Sequence, residues 1–240
     1  WFRPAFLAFT LLFVGWWAQG QLSIVNVVAL LQAGIAWRSW AFFLYDPMSA
    51  ILWGFLAVSA VVWGRGTFCG WLCPFGALQE FAAMAARAVR LPRWRPSARL
   101  DRRLKALKYA ALALVLAAAV VSTRWSDRLV EVEPLKTAIT LRFERTFGFV
   151  LYAAATVAAG AVVYKAFCRY LCPFGAFVAL AGRLRRWDWL ARRAECGAPC
   201  QLCRNRCAYQ AIEDDGRIHC AECFQCMECV AVHDDAAVCV

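Results

Sequence analysis

The chain has 240 residues, of which 62% are hydrophobic, and it carries a formal net charge of +11. This combination excludes an ordinary soluble basic protein. The arginines flank apolar runs and do not interleave with polar residues, which argues against direct nucleic-acid binding. Long apolar segments separated by Arg-rich segments predict an α-helical membrane protein.

Four apolar segments are predicted to cross the membrane: residues 4–18, 47–64, 104–121 and 147–167. A helix needs about 20 residues to cross the hydrocarbon core, with about 17 as the lower limit, so the first segment is short. Residues 19–46 are apolar and aromatic but interrupted by Arg38. We interpret them as interfacial or re-entrant, with a fifth span as the alternative.

The distribution of charge predicts the orientation in the membrane. Residues 87–108 contain nine basic residues and one acid, whereas residues 123–146 contain five basic residues and four acids. The positive-inside rule therefore assigns 87–108 to the cytoplasm and 123–146 to the outside. We predict a multi-pass inner-membrane protein with a transmembrane domain at 1–194 and a cytoplasmic domain at 195–240.

Nine of the 13 cysteines lie in this C-terminal tail. In bacterial ferredoxins, two cysteine runs hold two [4Fe–4S] clusters, and the fourth cysteine of each run binds the other cluster. Applied here, this rule predicts Cys196, Cys200, Cys203 and Cys239 as ligands of one cluster, and Cys207, Cys223, Cys226 and Cys229 as ligands of the other. Structural zinc is the alternative. A domain this small also needs a metal to stabilise its fold.

The tail departs from the ferredoxin pattern in three ways. Cys196 and Cys200 are separated by three residues where two are usual, and Ala208 follows Cys207 where the pattern has proline. Cys220 is left unassigned. Nearby arginines, namely Arg192, Arg193, Arg204 and Arg206, are candidates for raising cluster potentials or docking an acidic donor.

A second constellation is a repeated C-x3-C-P motif: Cys69, Cys73 and Pro74, then Cys168, Cys172 and Pro173. Residues i and i+4 share one face of a helix, so each motif is expected to present two thiols together at the cytoplasmic membrane surface. The four thiols are candidates for a third metal site, a Cu(I) site or a redox-active thiol pair. Buried cysteines without function are the alternative.

Four segments resemble the NosR/NirI family of membrane iron–sulfur flavoproteins: residues 64–80, 131–140, 167–176 and 222–226. The Glu-Val-Glu-Pro sequence that begins at Glu131 separates this family from other polyferredoxins. The resemblance implies a role in nitrous oxide respiration, supporting periplasmic nitrous oxide reductase by electron donation or by maturing its copper sites, with a link to expression of the nos genes. Full members carry covalent FMN on an N-terminal domain, so FMN is expected only if such a domain precedes this chain.

The sequence therefore predicts about four transmembrane helices with a small ferredoxin-like bis-[4Fe–4S] domain. The sequence leaves open whether this electron-transfer component is itself an enzyme. It also leaves open the electron donor, for which a ferredoxin, a flavodoxin and a quinol are the candidates. Three alternatives to the NosR-like function remain: a NapH-type quinol dehydrogenase, a cytoplasmic copper reductase, and a redox-sensing scaffold.

Overall fold

The computed structural model of the protein describes residues 2–20, 22–35, 47–190, 193, 195–235 and 238–239. Within these ranges the regular secondary structure is helical, and no strand is formed. Two isolated β-bridges, between Cys196 and Cys200 and between Ile212 and Ile218, lie in the tail. The predicted helical class is therefore confirmed for the described residues.

The described helices are, in chain order, α1 (Phe2–Phe9), α2 (Ile24–Ile35), α3 (Pro47–Val62), α4 (Pro74–Ala88), α5 (Ala98–Val121), α6 (Thr123–Val130), α7 (Phe147–Val162), α8 (Ala166–Tyr170), α9 (Pro173–Ala181), α10 (Leu202–Arg206) and α11 (Glu228–Asp234). π-Helical turns occupy Thr10–Trp17, directly after α1, and Phe68–Leu72 and Lys136–Thr140. A 3₁₀ turn at Gly182–Leu184 extends α9.

Among the described helices, only α5, with 24 residues, is both long enough and apolar enough to cross a membrane alone. The other apolar helices are shorter, at 10–17 residues, so the prediction of about four transmembrane helices is not confirmed. The fourth predicted span illustrates the reason. Its helix α7 ends at Val162, and Lys165 then adopts a left-handed conformation before α8 begins.

The segment predicted to be interfacial is described only in part. Its first half contains the apolar helix α2, which has 12 residues. Residues 36–46, which include the Arg38 that suggested an interfacial position, lie outside the described residues.

The tail packs directly onto the helices. Tyr209, Ala211 and Phe224 belong to the same apolar core as Phe68, Phe75 and the rest of the helical part. α4 packs against α7, and α5 packs against α9. The tail is thus seated on the helical bundle at a fixed position.

The segment between α6 and α7, predicted as an outer loop, folds into the protein. Ala138 and Ile139 are fully buried, and the indole nitrogen of Trp16 donates a hydrogen bond to the Ala138 carbonyl at 3.3 Å. Ile139 and Pro74 both lie against Gly15. This segment therefore lies beside the first C-x3-C-P motif. Burial of its apolar side chains in the space next to Gly15 stabilises this position.

Candidate functional site

The first tail cavity is lined by all four cysteines predicted for one cluster, Cys196, Cys200, Cys203 and Cys239. The unusual three-residue spacing forms a tight turn in which the Gly197 amide donates to the Cys200 carbonyl at 2.9 Å. Gly197 has a φ of 107°, a conformation that favours glycine. The turn therefore carries Cys196 and Cys200 to one wall, and Cys239 completes the set from the end of the chain.

The second tail cavity is lined by the other predicted set, Cys207, Cys223, Cys226 and Cys229. Cys203 also lines it, so this residue borders both cavities. Tyr209 and Ala211 supply apolar wall. The structure thus brings together the members of each predicted set and makes the two cavities neighbours.

Two left-handed residues shape the loop that carries Cys223, Cys226 and Cys229. Gln225 has a φ of 47° and Met227 a φ of 68°. The Gln225 amide donates to the Cys223 sulfur at 3.3 Å. This repeated turning of the backbone lets residues spaced by three line one cavity.

The donor chemistry of both cavities fits an iron–sulfur cluster. The first cavity has four thiols, and the second has four besides the shared Cys203. Cubane clusters are held by four cysteine thiolates. Burial and neighbouring thiols raise the pKa of Cys223 to about 12, and burial also raises the pKa of Cys226. Such thiols lose their protons when a metal centre binds, because the metal offsets the negative charge of the thiolates. Among the described residues, no three Cys, His, Asp or Glu side chains are grouped to hold one metal ion.

Cys220 lines neither of these two cavities. Its thiol donates to the Ile218 carbonyl at 3.4 Å, and burial raises its pKa, which favours the neutral thiol. The residue that the spacing left unassigned thus lies outside both cavities, and it borders a separate cavity on the other side of Cys223.

The cysteines of each C-x3-C-P motif do not share one helix, contrary to the expectation from their spacing. Cys73 and Cys172 have extended backbones and cap α4 and α9, whose first residues are Pro74 and Pro173. Their sulfurs accept hydrogen bonds from the Gly76 amide at 3.4 Å and the Gly175 amide at 3.2 Å. The proline that ends each motif starts a new helix. Its ring disfavours helical geometry in the preceding cysteine.

The two motifs pack against each other with approximate twofold symmetry. Phe68 contacts Phe174 at 5.9 Å between ring centroids, and the equivalent pair, Phe167 and Phe75, lies at 5.4 Å. Cys69, Cys168 and Cys172 are each less than 9% exposed. The four motif cysteines, which we call the thiol site, therefore lie mostly inside the protein, with Cys73 half-buried.

The tail docks on the first motif. The Phe224 carbonyl lies so close to Gly70 that a Cβ there would overlap it. The Trp71 indole donates to the Gln225 carbonyl at 2.9 Å, and the Thr67 hydroxyl donates to the Gln225 side chain at 2.6 Å. Phe224 follows Cys223 and Gly70 follows Cys69, so the second cavity and the thiol site are connected by one backbone contact.

The second motif is contacted instead by Glu133. One carboxylate oxygen accepts from the Phe174 amide at 3.1 Å and lies 3.7 Å from the Cys172 sulfur. The other oxygen accepts from the Ile24 amide at 2.9 Å. Glu133 thus links the N-terminal ends of α2 and α9. At these ends the backbone amides have no partner within the helix, and the carboxylate accepts their hydrogen bonds.

Sequence reasoning missed three charged residues beside the motifs, although a signal existed for them. Arg65 donates to the Ala221 carbonyl of the tail, and Lys165 binds Glu80. Glu80 lies within an apolar stretch, and Arg65 and Lys165 lie directly beside the motifs. Charged residues in such positions are costly and mark functional or structural sites. Phe224 and Gln225 lie in a segment that resembles the family, but their contacts with Gly70, Trp71 and Thr67 depend on the fold and could not be predicted.

Two protein-family models match parts of the chain. A model described as NosR matches residues 194–240. A model described as a 4Fe-4S binding domain matches twice, at residues 45–92 and 145–192. Each of these matches contains one C-x3-C-P motif, so the internal repeat predicted from the sequence is confirmed. No solved structure matches the chain.

Several curated proteins are similar over almost the whole chain. The regulatory protein NosR of Pseudomonas aeruginosa is 47% identical over 99% of this chain, and that of Stutzerimonas stutzeri is 45% identical over 99%. The protein NirI of Paracoccus denitrificans is 43% identical over 99%. The chain spans only about a third of their length, 33%, 33% and 35% respectively. These similarities and the matched models show that the chain belongs to the NosR/NirI family.

Proposed function

We propose that this chain transfers single electrons at a membrane through two [4Fe–4S] clusters held by its tail. The observation that carries the proposal is the convergence of four cysteines in each of two neighbouring cavities. A cluster of this kind, when bound, accepts and releases one electron at a time.

The residues of the tail divide into two ligand sets under this proposal. Cys196, Cys200, Cys203 and Cys239 would hold the first cluster, and Cys207, Cys223, Cys226 and Cys229 the second. Ile212 and Cys203 border both cavities, which keeps the two sites adjacent. Apolar walls limit the access of water, and solvent access is one of the factors that set cluster potentials.

The contact between Phe224 and Gly70 supports an onward route from the second cavity to the C-x3-C-P thiols. These thiols would act as the next redox centre, either as a thiol pair or as a third metal site. Glu133 then positions Cys172 from the side of the 131–141 segment. The route leads away from the tail, which is the direction needed for an acceptor on the opposite side of the membrane.

The family relationship supports a role in nitrous oxide respiration. The proposed partner is nitrous oxide reductase or the machinery that matures its copper sites. The relatives named regulatory proteins add support for a link to nos gene expression. The chain spans only a third of the length of those relatives. We also propose the electron donor, which is a cytoplasmic ferredoxin, a flavodoxin or a quinol. The proposed location is the inner membrane with a cytoplasmic tail.

Metal analysis tests the proposal. Protein purified anaerobically in detergent is expected to contain about eight iron and eight sulfide per chain, with interacting EPR signals after dithionite reduction. About twelve iron would place a third cluster at the C-x3-C-P thiols. Zinc without iron would refute the electron-transfer proposal, and copper at the thiol site would favour the copper-handling alternative.

The ligand sets are tested by two serine substitutions. Cys223→Ser is expected to remove one cluster and reduce iron to about half, because Cys223 lines the second cavity. Cys220→Ser is the matched control and is expected to leave the iron content unchanged, since Cys220 lines neither cavity. Iron and sulfide per chain are measured for both. An equal loss in the two variants would mean that the ligand sets are wrong.

A further inference from the structure

Three basic side chains surround the loop that carries Cys223 and Cys226, and we call them the cationic cluster: the half-buried Arg3 and the buried Arg65 and Lys165. Arg3 donates to the Cys226 carbonyl at 3.0 Å. The Arg65 guanidinium lies 4.5 Å from the centre of the Phe224 ring and donates to the Ala221 carbonyl at 2.8 Å. The Lys165 ammonium lies 5.4 Å from the same ring.

The cationic cluster is only partly neutralised. Arg3 and Lys165 share the carboxylate of Glu80, at 2.9 Å and 3.1 Å. Arg65 is 1% exposed, forms no ion pair with any described carboxylate, and has two buried nitrogens, Nε and Nη2, without a hydrogen-bond partner. Three cations thus face one carboxylate. Buried charges without compensation are costly, so such an excess points to an anionic neighbour.

Other acids at this interface are already paired. Glu222, near Cys223 in the chain, binds Lys108 at 2.6 Å, and Asp101 binds both Lys105 and Arg169 at 2.6 Å. Glu228, which lines the second cavity, is exposed to solvent. Arg65 is therefore the one member of the cationic cluster that has no ion pair with a described carboxylate.

The first cavity has a different electrostatic environment. Its nearby arginines are Arg193, which is exposed and donates to the Cys239 carbonyl, and Arg204, which pairs with the exposed Asp214. Water and salt screen such exposed charges, whereas a buried charge acts through a medium of low dielectric constant. Of the arginines that the sequence suggested for tuning the potentials, Arg193 and Arg204 thus lie at the first cavity. The exposed Arg206 lines the second cavity, where it is screened in the same way.

We propose that the cationic cluster raises the reduction potential of the second cluster above that of the first, so that electrons entering the tail settle beside the C-x3-C-P thiols. This rests on the two-cluster function proposed above. Reduction adds one negative charge to the second site, and fixed positive charge stabilises that form. The first site loses one electron, the second gains it, and no atom or proton is exchanged. Arg65, Arg3 and Lys165 act as positioning residues that set the direction of transfer.

EPR-monitored redox titration of the full chain in detergent tests this proposal. The unsubstituted protein is expected to show two midpoint potentials. Arg65→Gln should lower the higher one by at least a tenfold change in its reduction equilibrium, about 59 mV for a one-electron couple, and leave the lower one in place. Arg65→Lys should restore it. Glu80→Gln should shift the same potential upwards, because it removes the compensating carboxylate.

The control is Arg217→Gln, because the Arg217 side chain is 84% exposed and paired with Asp215. It should move neither potential. If Arg65→Gln is too unstable to titrate, the sign of the Glu80→Gln shift and the Arg65→Lys value decide the question. Two clusters whose potentials move together, or do not move, would overturn the inference while leaving the proposed function intact. Fewer than two clusters in the unsubstituted protein would instead refute the proposed function.

Discussion

Replacing Glu80 with alanine is expected to lower the free energy of unfolding by about 3–5 kcal/mol, because the change leaves buried cations without a counter-charge. Glu80 has a side chain 6% exposed and binds Arg3 at 2.9 Å and Lys165 at 3.1 Å. The Lys165 side chain is fully buried. Neither cation can recover its lost partner from water without opening the contact between the tail and the helices.

The matched control for Glu80→Ala is Asp188→Ala. Asp188 binds Arg185 at 2.5 Å, but its side chain is 75% exposed. Exposed ion pairs contribute about 0–1 kcal/mol, so this variant should differ little from the unsubstituted protein. Urea unfolding in detergent, followed by tryptophan fluorescence, measures both. Equal losses in the two variants would contradict the view that burial makes the Glu80 carboxylate important.

A single methyl group at Gly70 is expected to displace the tail from the helices. The Cβ of alanine would overlap the Phe224 carbonyl, which is backbone and cannot rotate away as a side chain could. Overpacking of this kind costs about 1–3 kcal/mol, and more when backbone must shift. Gly70→Ala should therefore make the tail more susceptible to protease and accelerate hydrogen exchange around residues 221–226.

Gly54→Ala is the corresponding control, since a Cβ at Gly54 in α3 meets no atom within 4 Å. Alanine in a helix interior is favoured over glycine by about 1 kcal/mol, so this variant should be unchanged or slightly more stable. Limited proteolysis with mass spectrometry of the released tail compares the two. If Gly70→Ala leaves the tail as protected as Gly54→Ala does, the proposed route through this contact loses its support.

Both variants address the same junction, and their effects should differ in kind. Glu80→Ala removes charge compensation beneath the second cavity, whereas Gly70→Ala separates the cavity from the thiol site without changing any charge. A shift in cluster potential is therefore expected from a neutral substitution at Glu80. A loss of electron transfer to the thiols is expected from Gly70→Ala, because the displaced tail no longer contacts the first motif.

The sequence by itself predicted the helical class, the internal repeat and both sets of tail cysteines that line the two cavities. These features depend on local information. Apolar runs, repeated motifs and cysteine spacing are all read along a short stretch of chain, and short loops between cysteines leave few ways to arrange them.

Only the tertiary structure decided how these parts meet. The fourth predicted span, residues 147–167, is interrupted because Lys165 adopts a left-handed conformation between α7 and α8. The inward fold of residues 131–141, the contact of Phe224 with Gly70 and the sharing of Glu80 by two cations join residues more than 60 positions apart. Such contacts depend on packing and charge compensation between distant segments, for which sequence periodicity carries no signal.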